Sequence, residues 1–362
     1  IAIAYGLALL DDETCKHPRL ELVITVDEET GMEGARGIDL SPCRATTLIN
    51  LDSEEEGIFL TGCAGGARVN YGLSYTEEKA EGLFYSIKVS GLLGGHSGAE
   101  IHKERGNANC ILARVLRELS GQVTLQLVSL KGGLADNAIP REAIAEVVIT
   151  GDKEGSLFSE ETQTEGALEK LKALVGNCLI AVNGELKAEL LEKDPEVTAE
   201  AVFEGRKEET AMSAEQSQKI IAFLNAIPNG VEAMSGAMEG LVETSLNQGI
   251  LTCEKGDFHV GISVRSSHES AKKALIGRLR SLAYLAGITA EVTGDYPGWA
   301  YRKDSPLREK MVVIYEKMYG KKPEIQAIHA GLECGLFTKK IEGLDSISVG
   351  PNMHNVHTSE ET

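Results

Sequence analysis

Three short segments carry the side chains best suited to chemistry: DEETGMEG (27–34), NLDSEEEG (50–57) and VGPNMHNVHTSEE (349–361). Each follows an apolar stretch that reads as a strand: residues 19–26 (RLELVITV), 45–51 (ATTLINL) and 346–349 (SISV). In an open parallel sheet, ligands gather beyond the carboxyl ends of the strands. Glu28, Glu29, Asp52 and His357 could therefore converge although they lie far apart in the chain. Carboxylate and imidazole ligands suit zinc, and an oxygen-rich set suits a pair of divalent ions. Taken singly, a DEE or SEEE run is what any solvated loop offers. The placement of all three at strand ends is what makes a metal centre worth considering.

The elements that must position these groups alternate. Residues 1–10 (IAIAYGLALL) read as the end of a buried helix, followed by the strand 19–26, a short helix or loop over 31–40 and the strand 45–51. That order points to a parallel α/β sheet. The character changes at the glycine-rich turn TGCAGG (61–66). Beyond it come an alternating strand (84–89), the loop GLLGGHSG (91–98), a helix (107–119) and strands at 123–130 and 143–150. A charged helical stretch over 166–191 carries a breaking signal at Asn183-Gly184. A hairpin turns at Glu254-Lys255-Gly256, and an amphipathic helix (270–286) and a closing strand (289–293) follow. From Ser305 the α/β pattern resumes with a helix over 306–319 and the last strand. The pattern implies an α/β domain interrupted by an inserted α+β domain, with 1–66 and 296–362 as one unit and 67–295 as the insertion.

Composition narrows the field. The 362 residues are 42% hydrophobic and 25% charged, ordinary for a globular protein of two domains. The formal net charge of −19 opposes nucleic acid and anionic membranes as partners. No stretch approaches the roughly 18 apolar residues of a membrane span, and no signal peptide can be read. The seven cysteines are scattered, with no C-x-x-C pair. They read as reduced thiols of a cytoplasmic protein, which leaves carboxylates and histidines to hold any metal.

The blocks VITVDEETGMEGARGI, LINLDSEEEGIFLTGCAGG, GGHSGAEIHKERGNAN, NAIPREA, AIPNGV, VETSLNQGI, YPGW and IHAGLECGLF, in this order, resemble the signature blocks of the aminoacylhistidine (Xaa-His) dipeptidases. These belong to the two-zinc carnosinase and glutamate carboxypeptidase-like metallopeptidases. The resemblance spans essentially the whole chain. It implies a zinc-peptidase catalytic domain with a mostly parallel sheet, interrupted by an inserted lid that serves dimerisation. It also implies metal-dependent hydrolysis of dipeptides with C-terminal histidine.

Carried over position by position, the resemblance makes Glu28 the general base acting on a bridging hydroxide. Glu29 and His357 become ligands of one zinc and Asp52 of the other. His96, in GGHSG, would reach the tetrahedral oxyanion, and in a homodimer formed through the lid it would serve the partner's site. Asn137 and Asn247 would bind the substrate backbone. Arg265, taken to follow a strand, would clamp the substrate carboxylate bidentately, as guanidinium does and ammonium cannot. Gly331 and Glu333, in HAGLECG, would line the site. His329 and His354 read as structural or exposed, and Trp299 as packing at the domain junction. The family's H-x-D segment, its Ala-Asp-Asn-Gly segment and its final helix have no counterpart here. The expectation is therefore a polypeptide extending beyond both ends, with three of five metal ligands in hand. Two alternatives stay open: another dipeptidase, tripeptidase or deacylase of the family, and a non-catalytic relative without metal.

Overall fold

The computed structural model describes residues 2–28, 31–152 and 165–354. Glu29 and His357 lie outside them. Two sheets organise the described chain. The smaller has four strands in the order Thr47–Asn50, Asp345–Ser348, Ile58–Cys63, Glu324–Ile328. Its outer pairings are parallel, and the central contact, Ser348 opposite Leu60, is antiparallel. Helices Pro306–Tyr319 and Glu333–Lys340 pack against Asp345–Ser348. The first of these begins and ends where its sequence says. The Ser305 hydroxyl accepts from the Arg308 N–H, Pro306 opens the first turn, and Gly320 closes it with φ 73°.

The larger sheet has nine strands. Eight run in the order Thr289–Tyr296, Gly65–Ser74, Asp257–Ser266, Val242–Glu254, Val123–Gly132, Ala143–Asp152, Glu77–Ser90, Thr198–Met212, and Gly230–Met234 pairs with Val242–Glu254. Every pairing is antiparallel. Helices Ala108–Gln122, Glu165–Leu190, Ala214–Ala226 and Glu269–Ala286 join the main core against it. The two-residue period decides which side chains they cover. Ala67, Val69 and Tyr71, with Val260, Ile262 and Val264, enter that core. Each large apolar side chain so buried is worth roughly 1.5–3 kcal/mol. The alternate residues of the same strands face the other way, and they build the site.

The crossing between the sheets corrects one expectation. The TGCAGG segment is not a turn. Strand Ile58–Cys63 passes through Ala64 into strand Gly65–Ser74 and so moves from one sheet to the other. A Cβ on Gly65 would stand 2.3 Å from the Gly298 nitrogen, so only glycine allows the chains to cross here. Trp299 locks the junction as expected: it is buried, and its backbone exchanges hydrogen bonds of 2.9 and 2.8 Å with Cys63.

Other expectations fail for physical reasons. Residues 19–26 form no strand; no described strand pairs with them, and Ile24 and Val26 are exposed. An apolar run makes a strand only with a partner for its backbone groups. The loop carrying Glu28 therefore does not follow a strand. Helix Ala2–Asp11 forms, but Ile3, Tyr5, Leu7, Leu9 and Leu10 are exposed, so it is not the buried helix anticipated. Helix Glu165–Leu190 runs unbroken past Asn183. That side chain turns away from its own helix to bond both the N–H and the C=O of Ala199, each at 2.8 Å. Among the described residues no helix is long and apolar enough to cross a membrane.

Asn107 joins several of these elements. Its Oδ1 caps helix Ala108–Gln122 by accepting from Asn109 and Cys110. Its Nδ2 lies 3.1 Å from both Asn247 Oδ1 and the Gln248 carbonyl, which it donates to. Asn107→Ala removes the cap and strands buried acceptors, so it should lower the unfolding free energy by about 2–3 kcal/mol in urea titration. A loss below about 0.5 kcal/mol would show that neither role matters.

Candidate active site

A cleft of about 550 Å³ opens where the two sheets meet. Its floor is the uncovered face of the nine-stranded sheet. Strand register arranges the polar side chains there in two adjacent rows. The first runs Tyr296, Gly66, Arg265, Ser245, each opposite the next across the strands. The second, two residues along, runs Thr293, Arg68, Ser263, Asn247.

Arg265 is the centre of the first row. It sits inside strand Asp257–Ser266, not after it, and is only 8% exposed. Its Nη1 donates to the Tyr296 hydroxyl at 3.2 Å, and its buried Nε has no hydrogen-bond partner. No carboxylate among the described residues forms an ion pair with it. A buried guanidinium without an acid is costly, and the cost falls if an anion arrives. Tyr296 leans over Gly66, where a Cβ would stand 2.6 Å from the tyrosine oxygen, and over Gly331, where it would stand 2.9 Å from the ring. Both glycines are required by the ring rather than by backbone twist.

His96 borders the same cleft. Its Nδ1 accepts from the Gly98 and Ala99 N–H groups at 3.2 and 3.0 Å. The ring proton therefore sits on Nε2, ready to donate. Burial and then the charge of Arg265 hold its pKa below the ordinary histidine value. His96 thus lines the cleft of its own chain beside Asn137 and Arg265. The loop fixes that position, since His96 pairs with Ala138 in a two-strand ladder.

The opposite wall comes from the loop after residue 26. Glu28, Gly31, Met32, Glu33 and Arg36 line it with Ala330 and Gly331. The Glu28 carbonyl accepts from the Gly31 and Met32 N–H groups, at 3.1 and 2.8 Å. Asp27 and Met32 adopt φ of 54° and 58°, a strained conformation for residues with a Cβ. Such strain collects where a loop must aim a side chain.

Asn137 lies exposed at the cleft edge, where the sequence reading put a substrate contact. Asn247 does not reach the cleft as that reading had it. It is 1% exposed, its Nδ2 donates to the Asp136 and Ala138 carbonyls at 3.0 and 2.8 Å, and its Oδ1 is taken by Asn107. It supports the loop that presents Asn137. Three cleft residues were not anticipated, Arg68, Asp136 and Tyr296, nor was the pairing of Ser245 with His329. The available signal was the alternation of polar residues along GARVN, TSLN and ISVR.

The metal expectation rests on Asp52, Glu29 and His357, of which only Asp52 is described. Asp52 is exposed, on a loop steadied by a buried network of Ser53, Ser348 and Asn50 with contacts of 2.8 and 2.6 Å. Among the described residues no group of three His, Cys, Asp or Glu side chains is placed to hold a metal. The donor chemistry nevertheless fits a divalent cation such as zinc. Glu333, at the start of its helix, has a buried Oε1 with no hydrogen-bond partner. Asp52 and Glu333 both lie close enough to the buried Cys334 to help push its thiol pKa up. Burial likewise drives Cys63 up to about 11. These thiols stay protonated, so carboxylates are the available ligands.

A family model described as a peptidase dimerisation domain matches residues 87–179. The cytosol non-specific dipeptidase of Escherichia coli (strain K12) is 38% identical over 363 residues, covering 100% of this chain and 71% of that protein. The crystal structure of the aminoacylhistidine dipeptidase from Vibrio alginolyticus superposes with a TM-score of 0.87 at 36% identity, covering 99% of this chain and 70% of the other.

The buried pair behind Arg265 makes a prediction about pH. His329 Nε2 lies 2.7 Å from Ser245 Oγ, and burial, then the Arg265 charge, push its pKa down to about 3. Below the ordinary value of about 6.5 the unfolded histidine takes up a proton that the folded one refuses, so folding loses stability as pH falls. The thermal midpoint should decline between about pH 6.5 and 4, and His329→Gln should flatten that decline. An equal slope in both proteins would mean that other groups control it.

Proposed function

This chain belongs to the M20 peptidase family, with the dipeptidases of Escherichia coli and Vibrio alginolyticus as relatives, and from that membership we propose that it hydrolyses dipeptides, with those carrying C-terminal histidine as preferred substrates. One observation carries the reading: a buried guanidinium, Arg265, with no ion pair among the described residues, faces the Glu28 loop across a cleft of dipeptide size. A free α-carboxylate is the small anion that a peptide substrate would bring.

The roles follow from position. The guanidinium of Arg265 clamps the carboxylate, and Tyr296 fixes one of its nitrogens. That places the peptide carbonyl toward His96, whose Nε2–H donates to the oxygen as negative charge develops on it. Asn137, at the rim, offers its amide to the peptide backbone. Glu28 takes the proton of the attacking water and returns it to the leaving amine. Gly331 keeps the wall thin beside the Tyr296 ring. Glu333, at the head of its helix beside the buried Cys334, would support the metal side of the cleft. Asp52, Glu29 and His357 would hold two divalent ions, zinc by donor type; bound ions there would polarise the carbonyl and lower the pKa of water. The four-stranded part, 1–66 with 296–362, is the catalytic unit, and 67–295 is the lid. The match to a dimerisation domain within 87–179 supports a homodimer formed through that lid. The E. coli relative is cytosolic by name, which supports the same compartment here.

The test uses the full-length, metal-loaded protein and a panel of Xaa-His, Xaa-Leu and tripeptide substrates. Xaa-His dipeptides should be cleaved fastest, and Glu28→Gln should cut kcat by about 10²–10⁴-fold while leaving bound metal unchanged. Cleavage of tripeptides alone would assign the chain to another activity of the family. Loss of metal with activity in Glu28→Gln would make Glu28 a ligand instead.

A further inference from the structure

The loop 133–138 presents Asn137 to the cleft, and three sets of contacts hold it down. From below, Asn247 bonds the carbonyls on either side of Asn137. Gly249 passes so close under the loop that a Cβ there would stand 2.5 Å from the Asp136 Cα. From the GGHSG loop, the Ser97 N–H donates to the Asn137 carbonyl at 2.8 Å. These contacts fix the backbone. The remaining contact is made across the cleft floor: the Arg68 Nε donates to the Asp136 carboxylate.

The geometry of that contact is unusual for a surface ion pair. Arg68 lies on strand Gly65–Ser74, and the loop lies over strand Val242–Glu254, with strand Asp257–Ser266 between them. Neighbouring strands are about 4.8 Å apart, so the guanidinium must span a whole strand. It can do so because the residue between them, opposite both Arg68 and Asn247, is the small Ser263. Arg68, Ser263 and Asn247 thus form one row under the loop, immediately beside the row that holds Arg265. Arg68, Asp136, Asn137, Ser263 and Arg265 all line the cleft. The pairing also neutralises Arg68, as Glu33 at 3.8 Å offsets Arg36 on the opposite wall, so that Arg265, two residues along the sheet face, is the cleft guanidinium with no ion pair among the described residues.

We infer that Arg68 and Asp136 form a strap across the cleft floor that positions Asn137 for the peptide backbone and directs the substrate carboxylate to Arg265. Both are positioning residues, and the inference rests on the dipeptidase reading above. The side chains are 59% and 18% exposed, so the pair adds little to global stability, and its removal should leave the melting temperature almost unchanged.

The test is a set of variants of the full-length, metal-loaded protein, assayed on a Xaa-His dipeptide. Arg68→Ala and Asp136→Ala should each lower kcat/KM roughly five-fold, chiefly through KM, with the loss shrinking at high salt. The exchanged double variant, Arg68→Asp with Asp136→Arg, should recover to within about two-fold of wild type, because the pair depends on opposite charge rather than on which side carries it. Combined with Asn137→Ala, Arg68→Ala should add almost nothing further, as expected for residues acting through one another. Additive losses in that combination, or an exchanged variant as poor as the single ones, would overturn the strap. A wild type that cleaves no dipeptide would bring down the functional reading itself, and the strap with it.

Discussion

A guanidinium buried in a β-sheet, with no carboxylate paired to it among the described residues, is the constraint around which this site is built. Arg265 is buried on the cleft face of a central strand, where a neutral residue would be the more stable choice. Its partners among the described residues are neutral: the Tyr296 hydroxyl on one side and, behind, the Ser245–His329 pair, which burial keeps uncharged. An acid at any of these places would quench the charge and remove the attraction for a ligand. Specificity for an anion is thus held at the expense of stability, the pattern expected where a site must bind rather than merely fold.

The two-sheet architecture follows from the same need. The helices cover one face of the nine-stranded sheet with apolar side chains, and the other face is left to the polar rows. The chain reaches that face from the smaller sheet by a direct crossing at Gly65, closed by Trp299 against Cys63. A short crossing brings the Glu28 loop and the Arg265 row to opposite walls of one cleft. His96 and Asn137 are then delivered by two loops that pair with each other, at residues 95–96 and 138–139.

Much of this was legible in the sequence where local chemistry decides structure. Ser305, Pro306 and Gly320 mark the ends of their helix, Asn107 caps the next, and Lys255-Gly256, with φ of 53° and 84°, makes the anticipated hairpin turn. Strand Thr198–Met212 escaped notice because its faces are both largely exposed and charged, held by cross-strand pairs such as Lys79 with Glu208 rather than by an apolar stripe. Residues 19–26 misled in the opposite sense: their apolar pattern is strong, but a strand needs a neighbour. In the site, Glu28, His96, Asn137 and Arg265 could be picked out as residues. Asn247 could also be picked out, but its job could not, because whether an amide meets substrate or backbone depends on a loop more than a hundred residues away. Tyr296 and Arg68 meet the site only through strand register, and Asp136 through the loop that carries it, so their roles could not be read from position in the sequence.

The most direct measurement is calorimetric binding of two ligands to the metal-loaded Glu28→Gln protein: a Xaa-His dipeptide with a free C-terminus, and the same dipeptide amidated. If Arg265 is an anion site waiting for the substrate carboxylate, the free dipeptide should bind at least about ten-fold more tightly, since hydrogen bonds to charged groups contribute roughly 1.5–3 kcal/mol. Arg265→Gln should erase the difference. Equal affinity for the two ligands in the protein with Arg265 intact would contradict the account.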